Sequence, residues 1–284
     1  MGLFDGCLLA SDIDGTLVIN GYINPKNVEK IRFFVDEGGC FSLATGRTVG
    51  ALKPILRVIG KVGPSVVANG CMIYDCKMGV ALTNKCIPSS DYHIADMIAN
   101  SGIDVGVEIH SGEDILVTRR NSETEDHERY EELDSVDVSF EEACRYDWNK
   151  VVYMFRSPDD VLKIKQLLNG VPHNSAFVDT SATLFGVKRY YYEQTPKGIT
   201  KSAALDELKK ILKIKDGCRF AIGDYYNDLE MIKNADIGAA TAESPDDIKA
   251  LADYVTVACK EGSVADFIDY LTNLRREEKN GRCI

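Results

Sequence analysis

Positive charge is the first thing this chain is short of: 33 Lys and Arg against 44 Asp and Glu leave a formal net charge of -11. With no basic surplus to displace counterions from a phosphate backbone, broad nucleic-acid binding is argued against, while a small anion can still be held locally. An apolar run of transmembrane length is also missing, so no membrane partner is expected, and the opening Met1-Gly2-Leu3-Phe4-Asp5 lacks the positive segment of a secretory signal. Gly6 occupies the position where a myristoylation pattern carries Ser or Thr. The nine cysteines are odd in number and contain no Cys-x-x-Cys pair, and the tightest group, Cys71, Cys76 and Cys86, has no nearby histidine. Neither a disulfide framework nor a zinc site is indicated; reduced, mostly buried thiols and a cytoplasmic location are the expectation. There is no internal repeat, no low-complexity tract, and no Gly-x-Gly-x-x-Gly after the first strand, which argues against a nucleotide-binding oxidoreductase.

What is present is enough chain for two domains: 284 residues, 45% apolar and 27% charged, as in ordinary globular proteins. Near both ends, strands alternate with helices. After an apolar run from Cys7 to Ala10, Asn24-Pro25 supplies an N-cap and a first-turn proline for a helix with Val28, Ile31, Arg32 and Val35 at helical spacing. Strands are predicted at Cys40 to Ala44 and at Pro64 to Ala68, with a helical stretch to Gly60 between them that Pro54 bends or restarts. Toward the other end, Thr200 caps a helix closed by Asp216-Gly217, Arg219 to Ile222 forms a strand, and Ile237 to Ala240 and Tyr254 to Val257 bracket a helix begun by Ser244-Pro245. Such alternation implies a largely parallel sheet covered on both faces. The middle reads as α+β, with strands at Val105 to Ile109 and Lys150 to Phe155 and a helix opened by Ser157-Pro158. The acidic stretch from Asn121 to Glu132 is expected to be a solvated helix or loop.

Chemistry concentrates where predicted strands end. In Asp12-Ile13-Asp14-Gly15-Thr16, an extended chain would point Asp12 and Asp14 to one side, with Ile13 opposite. Two converging carboxylates suit a hard divalent cation, and one could attack phosphorus. Thr45-Gly46-Arg47, Lys201 and Gly223-Asp224-x-x-Asn227-Asp228 likewise follow strands or open a helix. In an open parallel sheet that edge is where ligands bind.

With these four motifs in order, the chain resembles the haloacid dehalogenase superfamily, in particular its Cof-like phosphatases with a type IIB cap. Asp12-x-Asp14-Gly15-Thr16, Ala44-Thr45-Gly46-Arg47, Gly198-Ile199-Thr200-Lys201 and Gly223-Asp224-x-x-Asn227-Asp228 match its motifs, and Asn69-Gly70 and the tail from Asn234 to Asp266 extend the match. The resemblance implies an α/β fold: a Rossmann-like core of residues 1–86 and 191–284, its parallel sheet between helices, and an inserted α+β cap of 87–190. It implies Asp12 as nucleophile, Asp14 as general acid and base, and Lys201 as the neutralising cation, chosen over Lys197 because Gly198-Ile199-Thr200 reproduces the family's lead-in. Thr45, Gly46 and Asn227 would hold the phosphoryl group and Arg47 the substrate. Mg²⁺ would be held by Asp12, the Asp14 carbonyl and Asp224, with Asn227 and Asp228 orienting Lys201 and the metal shell. The activity implied is hydrolysis of a small phosphorylated metabolite, foremost a sugar phosphate, by a monomer or weak homo-oligomer. A phosphosugar mutase and a silent phosphosugar-binding regulator are the alternatives. Arg119, Arg120, Trp148, His110, Lys188 and Arg189 are candidates for substrate selection in the cap, without a motif to place them. Glu243 stands where the family commonly has Asn or Gln and is expected to begin the next helix. Tyr225 and Tyr226 either line the entrance or pack.

Overall fold

The structure, a computed structural model, describes residues 2–60, 62–216 and 218–279. Gly217, expected to help close the Thr200 helix, lies outside them. The chain divides into two compact units, one of Met1–Arg47, Lys53–Leu82 and Thr200–Ile284, the other of Thr48–Leu52 and Thr83–Ile199.

The first unit is built on five parallel strands in the order Tyr254–Val255, Ile237–Ala240, Arg219–Gly223, Leu8–Ser11, Cys40–Leu43. The Leu8–Ser11 strand has neighbours on both edges and is buried along its whole length, which is why it reads as an unbroken apolar run. Leu8 and Ala10 face one way, against Ala204, Leu205 and Leu208 of the Lys201–Ile211 helix. On the other side Leu9, Phe41, Phe220 and Ile222 are fully buried, and Arg275 of the Ser263–Lys279 helix lies 5.5 Å from the Phe220 ring.

The Pro25–Asp36 helix starts as expected, with Asn24 accepting a hydrogen bond from Lys26 N. Its buried face is rotated from the predicted one. Asn27, Ile31 and Phe34 are buried, while Val28 and Val35 are only half so, because Asn27 Oδ1 accepts the backbone N–H of Ala265 at 2.9 Å and draws that side of the helix inward. Pro54 restarts the chain as expected, a short 3₁₀ turn at Gly50–Leu52 giving way to a helix at Lys53–Ile59. The strand expected from Pro64 to Ala68 is shorter, Ser65–Val67. It pairs antiparallel with Met72–Asp75 and touches the parallel sheet through one bridge, Ala44 to Val66.

The second unit holds a six-stranded sheet in the order Ser135–Asp137, Asp114–Arg119, Gly106–Ser111, Lys150–Phe155, Val187–Pro196, Ser175–Leu184. One face carries Val107, Ile109, Val151, Tyr153 and Phe155 against Ile94, Ile98, Trp148 and Ile164. The acidic stretch forms a helix, Ser122–Glu131, closed at its start by a capping box of Asn121 and Thr124. Part of it turns away from solvent, contrary to the expected solvated face. Glu123 and Thr124 are buried, and His127 Nδ1 lies 3.1 Å from Glu108 Oε2 on the Gly106–Ser111 strand.

Glu108 is fully buried, and its other oxygen lies 2.6 Å from His110 Nε2. Burial opposes its ionisation, but His127 and then His110 hold its carboxyl far below the usual range. For His127, burial pulls the proton affinity down, and Glu108 and Glu131 more than restore it, holding it well above the ordinary imidazole value. His110, buried near Lys150, is lowered and stays neutral.

These shifts have definite signs. The contribution of His127 is complete below its unfolded value of 6.5 and is lost as pH rises through the raised folded value. That of Glu108 is complete above 4.5 and is lost on acidification. Breaking such a buried pair costs about 3–5 kcal/mol. His127→Gln should therefore melt well below the wild type near neutral pH, with the difference shrinking as the pH is raised toward strongly alkaline values. Melting curves across that range check this, and a difference independent of pH would mean that His127 acts by packing alone.

Candidate active site

The Leu8–Ser11 strand ends one residue before Asp12, whose backbone N–H still bonds Ile222 O of the neighbouring strand at 3.0 Å. Register does the rest. Ser11 is paired with both Ile222 and Leu43, so Asp12, Gly223 and Ala44 leave the sheet side by side at its carboxyl edge.

Lys201 is the first residue of the Lys201–Ile211 helix, which Thr200 caps by accepting Ala203 N at 3.1 Å. Its side chain is buried, and Nζ donates to Asp12 Oδ1 at 2.6 Å and to Asp228 Oδ1 at 2.7 Å. Lys197, the rejected alternative, is exposed and donates to His173 O. Asp228 turns its second oxygen to the backbone N–H groups of Asp224 and Tyr225, closing the loop after the Arg219–Gly223 strand. Residue 223 must be glycine for this, since a Cβ there would lie 2.4 Å from Asp228 Cβ.

Asp224 accepts a hydrogen bond from Thr16 Oγ1 at 3.0 Å. Thr16, the last residue of the Asp-x-Asp-Gly-Thr pentad, thereby ties that pentad to the loop after the Arg219–Gly223 strand. Gly15 has φ +83°, and a Cβ on it would stand 2.3 Å from Asp224 Oδ2, so both conformation and space require glycine.

The Asp14 carboxylate does not cluster with those of Asp12, Asp224 and Asp228, though its charge acts on both Asp12 and Asp224. The extended geometry that would have aligned Asp12 and Asp14 stops at Ser11, and from Ile13 the chain turns, with Ile13 O accepting the N–H groups of Leu17 and Val18. The Asp14 carboxylate is half exposed and grips Arg47, Nε to Oδ2 at 2.9 Å and Nη2 to Oδ1 at 2.7 Å. Thr45 is buried beside it, its hydroxyl oxygen accepting Arg47 N at 3.1 Å. Gly46 packs against the Asn69 side chain. Asn227 is exposed and makes no hydrogen bond to Lys201 or to the carboxylates, whereas Asp228 does orient the lysine.

Asp12, Asp224 and Asp228 bring carboxylate oxygens within 4.8 Å of one another. Burial and then the Asp228 charge push Asp12 upward, Lys201 opposing them. The same two causes push Asp224 up to about 7. Burial alone would lower Lys201, but Asp12 and Asp228 hold it above its ordinary value, so it stays cationic. Three carboxylates facing one ammonium leave the cluster short of positive charge. Hard oxygen donors in that state fit a small divalent cation such as Mg²⁺.

Other expected positions resolve differently. Glu243 does not begin a helix; both its oxygens accept Cys259 N at 3.1 Å, and the next helix is Asp246–Lys249. Tyr225 and Tyr226 are exposed, ring against ring at 5.0 Å. In the second unit, Trp148 is core, stacked on Tyr92 at 3.7 Å with Nε1 donating to Ala143 O. His110 is buried on Glu108, Arg120 pairs with Glu128 and Asp137, and Arg189 pairs with Asp126. Lys188 is exposed with Nζ 5.4 Å from the Tyr190 ring, and Arg119 is half-buried at the end of the Asp114–Arg119 strand.

A parallel sheet thus carries a buried lysine and a carboxylate cluster at its carboxyl edge. Residues 9–268 match the haloacid dehalogenase-like hydrolase family, and the chain belongs to it. A 5-amino-6-(5-phospho-D-ribitylamino)uracil phosphatase of Bacillus subtilis is 27% identical over 287 residues, covering 93% of this chain and 97% of its own length. A haloacid dehalogenase-like hydrolase from Bacteroides thetaiotaomicron shares the fold with a TM-score of 0.80 at 21% identity, over 93% of this chain and 99% of that one. A HAD subclass IIB sugar phosphatase does so at 0.77 and 23%, over 93% and 98%. Among the described residues, no helix is long and apolar enough to cross a membrane.

The charge imbalance can be tested directly. Asp224→Asn should raise the melting temperature in the presence of a chelator by about 2–4 °C, as relief of roughly 1 kcal/mol of repulsion would. Added Mg²⁺ should then stabilise the wild type and leave the variant unmoved. Equal Mg²⁺ responses in the two proteins would exclude Asp224 as a ligand.

Proposed function

We propose that this hydrolase is an Mg²⁺-dependent phosphatase of small phosphomonoesters, sugar phosphates foremost, acting through an aspartyl-phosphate on Asp12. The observation that carries the reading is the buried Lys201 ammonium bound to both Asp12 and Asp228. A lysine so placed holds one Asp12 oxygen and leaves the carboxylate's other oxygen to attack. The named activity of the Bacillus subtilis relative, on an ester whose phosphate is carried by a ribityl chain, supports a polyol or sugar phosphate. The cap of residues 87–190 is proposed to select the ester.

In the first half-reaction Asp12 attacks phosphorus and the ester oxygen departs, taking a proton from Asp14. In the second, Asp14 takes a proton from the water that opens the aspartyl-phosphate. Thr45, Gly46 and Asn227 are proposed to hold phosphoryl oxygens, and Lys201 to offset the negative charge that gathers around the transferred group. When bound by Asp12, the Asp14 carbonyl and Asp224, Mg²⁺ supplies charge neutralisation for nucleophile and phosphoryl group together.

Purified protein should release inorganic phosphate from a panel of phosphosugars with Mg²⁺, lose that activity on chelation and regain it on re-addition. Asp12→Asn should lower turnover by about a thousandfold or more. Release of phosphate by Asp12→Asn at the wild-type rate would overturn the reading. Isomerised sugar phosphate appearing with little free phosphate would replace it with a mutase.

A further inference from the structure

Arg47 was expected to hold substrate, yet its guanidinium is already engaged in a two-point grip on Asp14, Nε to Oδ2 at 2.9 Å and Nη2 to Oδ1 at 2.7 Å. The pair is unequally exposed, the Arg47 side chain at 13% and that of Asp14 at 54%. Arg47 is also anchored through its backbone at both ends. Its N–H donates to Thr45 Oγ1 at 3.1 Å, and its carbonyl accepts Ala68 N at 2.9 Å. The turn carrying Asp14 is equally fixed, with Gly15 N bonded to Val18 O at 2.9 Å and Leu17 N to Ile13 O at 2.9 Å.

Between two backbone segments so bonded, the orientation of the half-exposed Asp14 carboxyl is set by the guanidinium fork. An ion pair this open to water contributes little to stability. What a bidentate Arg–carboxylate pair does supply is a defined plane and direction, which a single ammonium cannot impose. Each carboxylate oxygen keeps a second lone pair, so Asp14 can take up a proton from water without leaving the fork, and this is the proton it gives in the first transfer.

We propose that Arg47 is a positioning residue for the proton transfers of Asp14 and not a substrate contact; this rests on the phosphatase reading above. Arg47 exchanges no proton itself. As the bond from phosphorus to the leaving oxygen breaks, its electron pair stays on that oxygen, which takes the proton from Asp14. In the return step the ionised Asp14 takes a proton from water as the water oxygen bonds phosphorus and the bond from phosphorus to Asp12 breaks. Arg47 holds the Asp14 carboxyl in line for both transfers.

The experiment compares wild type, Arg47→Ala and Arg47→Lys on two esters with Mg²⁺. Ribose 5-phosphate has an alkoxide leaving group that needs a proton. 2,4-Dinitrophenyl phosphate has one that leaves without it. For Arg47→Ala, kcat on ribose 5-phosphate should fall about a hundredfold, the scale of one general acid, with KM changed less than about threefold. On dinitrophenyl phosphate the first turnover should keep its rate and show a full burst of phenolate, followed by a slow steady state, because dephosphorylation still needs Asp14 as base. Arg47→Lys should recover only a small part of kcat, having no fork.

A rise in KM of tenfold or more with kcat unchanged would make Arg47 a substrate contact and overturn the proposal. So would an equal loss of the first turnover on both esters. Should Arg47→Ala fail to fold, as judged by its melting curve, Arg47→Lys decides: full kcat at unchanged KM refutes the need for a fork. Absence of turnover in the wild type on both esters would remove the phosphatase reading and this inference together. Normal turnover in all three proteins would remove this inference alone.

Discussion

A buried ammonium is the constraint on which the first unit depends. Removing a lysine charge from water costs several kcal/mol unless opposite charges meet it at hydrogen-bond distance, and here two carboxylates do. Asp12 and Lys201 are 189 positions apart in the chain, and Asp228 follows Lys201 by 27. They meet because Ser11 is in register with Ile222 in a parallel pair, which carries Asp12 and the Gly223–Asp228 loop to the same edge. The loops are then tightened from within, by Asp228 on two backbone N–H groups and by Thr16 on Asp224.

The same physics gives opposite results in the two units. In the first, three carboxylates share one lysine; burial and then the Asp228 charge raise Asp224 to about 7, and a divalent cation would neutralise the surplus negative charge. In the second, Glu108 lies between two imidazoles and His127 between two carboxylates, so each buried charge meets an opposite one or a hydrogen bond within the unit. The internally paired cluster holds a helix on a sheet.

Much of this was readable along the chain wherever one short segment decides its own structure. The caps at Asn24, Ser157 and Thr200 begin their helices as read, because a side-chain oxygen two or three residues before a free N–H needs no distant partner. The placement of the four motifs was legible for a related reason. Each ends a strand or opens a helix, and parallel strands put all such ends on one edge. Readings failed where a distant segment chose the outcome. Asn27 faces inward because Ala265 N–H needs an acceptor, and Phe34 because the Phe4 ring lies 4.5 Å from it. The acidic helix turns His127 inward because Glu108 waits on a neighbouring strand. Trp148 is core because Tyr92 offers its ring, a pairing across 56 residues that no local pattern marks.

What the sequence alone determined, then, was the set of chemical groups and the order in which they leave the sheet: Asp12, Thr45, Lys201 and Asp224, together with the glycines that let the chain turn around them. Only the tertiary structure decided who holds whom. It ended the first strand at Ser11, gave Lys201 to Asp12 and Asp228, gave Asp14 to Arg47, and set Glu243 on a backbone amide. The reason is range. Periodicity and capping act over a few residues along the chain, while the desolvation of a charge is decided by whichever groups the packed sheet brings within about 3 Å.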